Sequence, residues 1–254
     1  MNEIDTEYEF VMLLNNKKIK ELDLNTQELI YSIFDNVNDN EIIKAWKNHL
    51  KQKTDIMIKI GKTIKGISLK KGSRNSVHVE PLSTFVKYLR ENEIPESIIK
   101  KYVQYHYADG TIKGNGIKRM SSYEYKYNNM NDIELINKYF NESKLIKKSI
   151  ERFVLKGTNS MYEIDALCMG EANDYLWITK KQIKEILENN INLESTGPHI
   201  SSLFVQPQTR NLNYNRLYES KRHCVQIKWY SLLDDIIKSK YEKHLNQAAN
   251  DGFD

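Results

Sequence analysis

Two adjacent segments of alternating apolar and polar residues constrain the fold more than any other feature of this sequence. Apolar residues take every second position before the short tripeptide GKT and again after it: Ile56, Ile58, Ile60, Ile67 and Leu69. A period of two is typical of strands that bury one face, whereas an amphipathic helix repeats every three or four residues. The pattern therefore predicts a β-hairpin with one apolar face.

Charged residues accompany this hairpin, and its register can be worked out. Directly opposed residues of an antiparallel pair lie on the same face, so the two apolar sets meet only if paired residue numbers have an odd sum. This register places Asp55 opposite Ser68 or Lys70. Because a lone charge at the flank of a buried sheet is costly, Asp55 is expected to pair with Lys70 or to bind a metal ion.

A second carboxylate follows the hairpin. After a turn-like run at residues 72–76, apolar residues such as Leu82 and Phe85 recur at helical spacing. Pro81 is compatible with the first turn of a helix, where its missing N–H is not needed. Glu80 is therefore expected at the start of a helix that folds back from the strand carrying Lys70.

The rest of the chain predicts further helices and strands. Residues 25–50 predict two short amphipathic helices, residues 98–150 a helical insertion or binding loops, and SLLDDIIKSKYEKHL a closing helix. A strand is expected in YEIDALCM, a helix capped by Thr179 in WITKKQIKEILENN, and two late strands in SSLFVQPQTRNLN and HCVQIKWYSLL. The predicted fold class is α/β, with a central mixed β-sheet flanked by helices.

The length of 254 residues fits one substantial core. We therefore expect a single domain over residues 1–254. Its parts are a helical N-terminal part at 1–50, the hairpin and following helix at 51–97, the helical insertion at 98–150, and the late strands with the closing helix at 151–254.

Composition restricts the compartment and the partners. The 38 Lys and Arg against 34 Asp and Glu leave a formal charge of +4, a mild basic excess that admits a polyanionic partner. Cys168 and Cys224 lie far apart without a CxxC motif, which favours a reducing cytoplasm over a zinc site or a disulfide framework. No run of 18 apolar residues occurs and the first residues are acidic, so a cytoplasmic protein with no membrane partner is expected.

An aspartate, a lysine on the neighbouring strand and a second carboxylate are the groups that metal-assisted phosphodiester cleavage needs. Carboxylate oxygens bind a hard divalent ion such as Mg²⁺, which keeps positions for water and a phosphate oxygen. A lysine can orient the attacking water and stabilise the charge that develops on phosphorus. Asp55, Glu80 and Lys70 are the candidates for these roles.

These residues resemble the PD-(D/E)xK nucleases, and within them the type II restriction endonucleases. The dipeptide TD at Thr54 and Asp55 is similar to the first half of that motif, and SLK at Ser68 to Lys70 to the second half. Two departures stand out, since Ser68 takes the place of a carboxylate and no proline precedes Asp55. Some restriction enzymes of this superfamily have a neutral residue at that position and recruit a glutamate from the following helix, a role that Glu80 fits.

The resemblance implies a set of roles. Asp55 and Glu80 would bind Mg²⁺ together with the main-chain carbonyl of Leu69, Lys70 would act on the water, and Ser68 would occupy the position of the missing acid. It also implies cleavage of a specific short sequence in double-stranded DNA to 5′-phosphate and 3′-hydroxyl ends. A homodimer on DNA and a cognate DNA methyltransferase of a restriction-modification system would be the functional partners.

A polar segment near the C-terminal end carries side chains that can read base edges. Arg suits guanine, and Gln and Asn suit adenine, through paired hydrogen bonds in the major groove. The candidate DNA-binding residues are Gln206, Gln208, Thr209, Arg210, Asn211, Asn213 and Arg216, with Lys71 and Arg74 as phosphate contacts beside the hairpin.

Each assignment has a structural alternative. Asp55 and Lys70 could form a cross-strand ion pair, and Glu80 could be a carboxylate at a helix N-terminus. Glu28 could supply a further acid from an N-terminal helix or simply be exposed, and the segment at 206–216 could be a polar loop. At the level of function, the alternatives are a DNA repair or junction-resolving nuclease of the same fold, and a catalytically decayed DNA-binding module.

Overall fold

The computed structural model describes residues 6–50, 52–71, 75–116, 119–158, 160, 162–190, 197–209 and 219–251. The helices are α1 (Thr6–Leu14), α2 (Leu24–Ile33), α3 (Leu82–Glu91), α4 (Glu96–Tyr107), α5 (Ser122–Asn128), α6 (Met130–Phe140), α7 (Ser143–Ser149), α8 (Lys180–Asn189), α9 (Glu219–Arg222) and α10 (Leu232–Asp251), with a 3₁₀ turn at Ile19–Glu21 and a π-helix at Ile150–Lys156. The strands are β1 (Lys44–Lys47), β2 (Ile56–Ile60), β3 (Thr63–Lys70), β4 (Ser76–Pro81), β5 (Ala166–Glu171), β6 (Asp174–Thr179), β7 (His199–Ile200), β8 (Leu203–Pro207) and β9 (Cys224–Trp229).

The chain forms two compact units, each assembled from separate segments. The first unit comprises Met1–Arg74, Val154–Ile186 and Ser231–Asp254, and the second comprises Asn75–Phe153 and Leu187–Tyr230. The boundaries differ from the four sequential parts expected from the sequence, because segments distant along the chain pair in one sheet. The expectation of a single domain concerns cooperative folding and stays a prediction.

The first unit contains a five-stranded mixed sheet in the order β1-β2-β3-β5-β6. Within it β3 and β5 run parallel and the other neighbours run antiparallel. One face of the sheet packs against α1 and α2 in a core that includes Phe10, Leu29, Ile58, Ile67 and Trp177. The predicted α/β class with a mixed sheet flanked by helices is confirmed.

The predicted hairpin is β2 and β3, and its register is confirmed. Ile56 pairs with Ile67 and Ile60 with Thr63, so the paired numbers sum to an odd value and the apolar residues share the core face. By the same register Asp55 comes opposite Ser68. The two charged ends of the hairpin therefore lie on the face away from that core.

The second unit contains a four-stranded sheet in the order β4-β9-β8-β7. Its strands bury one face, as shown by Val205, Val225, Ile227 and Trp229, which are fully buried. The two late strands predicted from the sequence are β8 and β9, but they belong to this sheet and not to the central one. The predicted helical insertion corresponds to α4 through α7.

Two local predictions are wrong. The second helix expected within residues 25–50 is the edge strand β1, because its backbone pairs with β2 while Ala45 turns into the core and Trp46 outward. Glu80 does not begin a helix. It lies in β4, and α3 begins at Leu82. Pro81 ends β4, an edge strand of the sheet, where a residue without an N–H is tolerated.

The helix expected after the strand YEIDALCM is also shorter than predicted. Its first residues form β6, and α8 begins at Lys180. The predicted cap is confirmed, since the Thr179 hydroxyl accepts from the N–H of Gln182 at 3.3 Å and the Gln182 side chain accepts in return from the N–H of Thr179 at 2.9 Å.

Candidate active site

The backbone holds Asp55 between two strands of the first unit. Its N–H donates to the carbonyl of Ile67 at 2.8 Å, and its carbonyl accepts from the N–H of Asn48 at 2.8 Å. These bonds extend the ladders of β3 and β1 by one residue beyond the start of β2. Asp55 is therefore fixed at the end of a strand, with its side chain on the same face as Ser68 and Lys70.

The carboxylate of Asp55 joins the two halves of the predicted motif. Its Oδ2 accepts from the N–H of Leu69 at 2.6 Å and from the hydroxyl of Ser68 at 3.1 Å. Ser68 is buried. The serine that takes the place of an acid thus orients Asp55, while no described residue donates a hydrogen bond to Oδ1. One carboxylate oxygen is anchored and the other is available to a cation.

Burial dominates the electrostatics of Asp55 and raises its pKa. The N–H of Leu69, the charge of Lys70 and the Ser68 hydroxyl oppose this shift, and the like charge of Glu7 adds to it. Glu7 extends from α1 and forms an ion pair with Lys47 at 2.8 Å. The N-terminal helix acid whose charge affects the pKa of Asp55 is therefore Glu7. Glu28, the acid considered from the sequence, is exposed.

Lys70 is half-buried at the end of β3. Burial lowers its pKa, and the nearby charge of Asp55 partly restores it. No ion pair within 4.0 Å joins the two side chains, although both belong to the described part of the chain. The two charges nevertheless attract each other, as their effects on each other's pKa show, so the alternative of a looser cross-strand pair stays a prediction.

A second lysine of this cluster was missed from the sequence. Burial and the charge of Lys70 lower the pKa of Lys53 to about 7, while Asp55 opposes the shift. Its aliphatic stem lies against Gly157, where a Cβ would be 3.1 Å from Lys53 Cγ. Lys53 lies two residues before Asp55 in the sequence KTD, and this proximity was the available signal. It does not reveal that the Lys53 side chain is buried.

Thr54 supports the backbone that carries Asp55. It is buried, and the Asn48 side chain donates to its carbonyl at 3.0 Å and to its hydroxyl at 2.7 Å. The Thr54 methyl group lies over Gly66 of β3, where any Cβ would clash with it. Gly66 in turn donates its N–H to Asp165 at 2.9 Å, which ties the hairpin to the segment before β5.

Glu80 lies in the second unit with partners of its own. Its side chain is 3% exposed, and its Oε2 is 2.7 Å from the Arg152 guanidinium and 3.3 Å from His78 Nε2. Arg152 belongs to the π-helix and stacks over the Tyr88 ring at 4.8 Å. The alternative of a helix N-terminal carboxylate is wrong, whereas the metal-binding role of Glu80 stays a prediction.

The oxygen donors around Asp55 bear on the magnesium site that the sequence predicts. Within the described ranges, no group of three or more His, Cys, Asp and Glu side chains could hold a metal. Mg²⁺ is nevertheless commonly held by one or two carboxylates together with water and substrate phosphates. Asp55 Oδ1, to which no described residue donates a hydrogen bond, is an oxygen donor of this kind, and the Leu69 carbonyl stays a predicted ligand.

The candidate recognition residues are only partly described. Gln206 is half-buried in β8, Gln208 continues the strand by donating its N–H to the Cys224 carbonyl at 2.8 Å, and Thr209 is half-buried. Lys71 is exposed after β3. The remaining candidates lie outside the described residues, and their DNA contacts stay predictions: Arg74, Arg210, Asn211, Asn213 and Arg216.

The described helices are all too short or too polar to span a lipid bilayer.

Comparisons with known proteins give a likeness of fold. No protein-family model matches the chain, and no curated protein matches it. Among solved structures, the chain is similar to the restriction endonuclease MspI in complex with its cognate DNA, with a TM-score of 0.55, 16% identity, and coverage of 87% of each chain. The chain therefore has a restriction-endonuclease-like α/β fold.

Proposed function

We propose that the protein is a Mg²⁺-dependent type II restriction endonuclease that hydrolyses phosphodiester bonds within a specific short sequence of double-stranded DNA. The observation that carries the proposal is the hydrogen-bonded cluster of Asp55, Ser68 and Leu69 beside Lys70. A fold shared with a restriction endonuclease supports it.

The chain's own residues would act in three ways. Asp55 Oδ1 and the Leu69 carbonyl would hold Mg²⁺, and Glu80 is the further ligand that the sequence predicts. When bound, the ion supplies positive charge beside the scissile phosphate. Ser68 and the Leu69 N–H fix the orientation of Asp55. Lys70 places its ammonium beside the phosphate and stabilises the charge that builds on it.

Hydrolysis joins the oxygen of water to phosphorus and breaks the bond to the 3′ oxygen, which takes up a proton. The products are 5′-phosphate and 3′-hydroxyl ends. Residues of the 206–216 segment would contact base edges, and Lys71 and Arg74 would contact phosphates. Cutting both strands would use two copies of the chain on DNA, with a methyltransferase protecting the host genome in the cytoplasm.

Supercoiled plasmid incubated with the protein and Mg²⁺ tests this function. Discrete fragments with ends at one repeated sequence are expected. Random nicks, or a preference for branched substrates, would replace the proposal by a repair or junction-resolving nuclease. DNA binding without cleavage in Mg²⁺ or Mn²⁺ would indicate a decayed DNA-binding module, which the absence of an acid at Ser68 makes a specific alternative.

Replacing the motif lysine separates catalysis from binding. Lys70→Ala is expected to lower the cleavage rate by at least about 100-fold, because charge stabilisation at phosphorus is lost. DNA affinity should change little. Lys62→Ala, which removes an exposed lysine from the turn of the same hairpin, is the matched control and should cleave normally. Equal rates for the two variants would remove Lys70 from the site.

A further inference from the structure

One face of the second sheet is half-exposed and carries polar side chains beside the apolar Phe204, which pairs with Lys228 in the ladder. In β8 and β9 every second residue is buried, so Gln206, Gln226 and Lys228 lie on the opposite, half-exposed face. Val79 of the edge strand β4 pairs with Gln226 and is 43% exposed, and Tyr230, just past β9, is 55% exposed. We refer to Gln206, Gln226, Lys228 and Tyr230 as the outer face.

A chain of hydrogen bonds fixes the amides of the outer face. Gln226 donates to the Ser76 hydroxyl at 3.1 Å and accepts from the Gln206 amide at 3.5 Å. Tyr230 donates from its hydroxyl to the Gln206 carbonyl oxygen at 3.0 Å. Gln206 is directly opposite Gln226 in the ladder. The two amides are therefore oriented before any ligand arrives.

The charge of the outer face is positive. Lys228 lies with its ammonium 5.4 Å from the centre of the Tyr230 ring, and the described residues offer it no ion pair. Within the described strands of this sheet the acidic residue is Glu80. Glu80 is paired with the buried Val225, so it points into the opposite face. Two amides, one aromatic ring and one uncompensated cation suit base edges and phosphates.

We propose that the outer face is a duplex DNA contact surface, with Gln226 as a base-reading residue and Lys228 as a phosphate contact. The proposal rests on the proposed function, from which it takes the ligand. Its own support is continuity: Gln206 starts the predicted recognition segment and is bonded to both Gln226 and Tyr230. A duplex that contacts Gln206 would meet its cross-strand neighbour, because directly opposed side chains stand about 5 Å apart.

Binding of the full chain to a labelled duplex of random sequence, with Ca²⁺ in place of Mg²⁺, tests the phosphate contact. Lys228→Gln is expected to weaken binding at low salt and to reduce the slope of log affinity against log salt by about one. The matched control is Lys87→Gln, which removes an exposed lysine from α3 of the same unit. Lysine acetylation gives a direct second readout, in which duplex DNA should protect Lys228 and not Lys87.

The base contact is tested by sequencing the ends of cleaved DNA. Gln226→Ala should lower the preference for the cognate base pair at one position of the cleaved sequence by about tenfold. Thermal unfolding confirms that the variant folds. One outcome would overturn the DNA contact proposed for the outer face and leave the proposed function intact. In it the wild type cleaves DNA, Lys228→Gln binds with unchanged affinity and salt slope, and DNA does not protect Lys228 from acetylation. Protection of Lys228 in a wild type that never cleaves would support the outer face and reject the nuclease.

Discussion

Asp55 is both the centre of the candidate site and a source of instability. Burial raises its pKa, so ionising Asp55 costs more free energy in the folded protein than in the unfolded chain. A raised pKa of an acid stabilises the fold below the pKa of the unfolded chain, and this contribution is lost as the pH rises through the folded pKa. At neutral pH the ionised Asp55 therefore destabilises the metal-free protein.

Asp55→Asn is accordingly expected to abolish cleavage and to raise the Tm in EDTA by a few degrees at neutral pH. The gain in Tm should shrink as the pH falls into the acid range, where wild-type Asp55 is protonated. Mg²⁺ should raise the Tm of the wild type by binding the folded state, but not that of the variant. Thermal unfolding with and without Mg²⁺ measures both effects.

An exposed acid of the same unit serves as the control for that experiment. Asp35→Asn should leave the Tm, its response to Mg²⁺ and the cleavage rate unchanged. A Tm of Asp55→Asn below that of the wild type at neutral pH would contradict the assigned destabilisation. A Mg²⁺ response retained by Asp55→Asn would move the metal site elsewhere.

Glu80 is expected to matter for stability whatever its role toward metal. Glu80→Gln leaves the partly exposed Arg152 without its carboxylate, which should lower the free energy of unfolding by less than the roughly 3–5 kcal/mol typical of a fully buried pair. Adding Arg152→Met should recover part of the loss. Urea unfolding of the two variants measures this coupling, and Glu91→Gln on α3 is the exposed control.

The same Glu80→Gln variant tests the metal role predicted from the sequence. If Glu80 contributes to the site, half-maximal cleavage should need more Mg²⁺. A folded Glu80→Gln variant with the wild-type Mg²⁺ requirement would assign Glu80 to the ion pair alone. The sequence could not separate the two roles, because neither the burial of Glu80 nor its arginine partner is local in sequence.

At the scale of elements, the hairpin was predictable because its period-two pattern and its turn are local. The mistaken second helix within residues 25–50 and the mistaken helix start at Glu80 both involved edge strands. A short apolar run fits either a helix or a strand, and pairing with a distant partner decides. In β4 a bulge near His78 further shifts the alternation, so Val77 and Glu80 are both buried although they lie three residues apart.

The contact between β3 and the residue before Asp55 gives a prediction about this element. Gly66→Ala should destabilise the fold by about 1–3 kcal/mol and slow cleavage, because the added methyl group displaces Thr54 and with it Asp55. Thr54→Ser removes the opposing methyl group and keeps the hydroxyl bonded to Asn48. The double variant should therefore recover both stability and activity, as measured by urea unfolding and plasmid cleavage.

Thr54→Ser alone supplies the control, since it should cost less than Gly66→Ala while preserving cleavage. Additive losses in the double variant would show that Thr54 is not the group that excludes a side chain at position 66. The neighbouring carbonyl of Glu163 would then be the remaining obstacle within the described residues.

For the whole molecule, the sequence predicted the class of the fold but not the division of its strands between two sheets. The parallel pairing of β3 with β5 joins residues that are separated by the whole segment 75–153. Local periodicity carries no information about such a pairing. The mild positive charge likewise admitted DNA as a partner without indicating which surface binds it.

The connectivity of the two units leads to a prediction about folding. The chain passes between them after residues 74, 153, 186 and 230, so each unit is built from segments that the other separates. If one unit unfolded alone, its segments would become long flexible loops that the folded unit has to close. The entropic cost of closing these loops couples the unfolding of the two units. We therefore expect urea to unfold the protein in one cooperative transition, as a single domain would.

Single-tryptophan variants can test this, because the tryptophans are divided between the units. Trp46 and Trp177 belong to the first unit, and Trp229 to the second. In Trp46→Phe/Trp177→Phe the fluorescence reports the second unit, and in Trp46→Phe/Trp229→Phe it reports the first. Within each variant, fluorescence and far-ultraviolet circular dichroism should give the same midpoint. Separate midpoints within one variant would mean that the units unfold independently, since coincidence of different probes is the test of two-state behaviour.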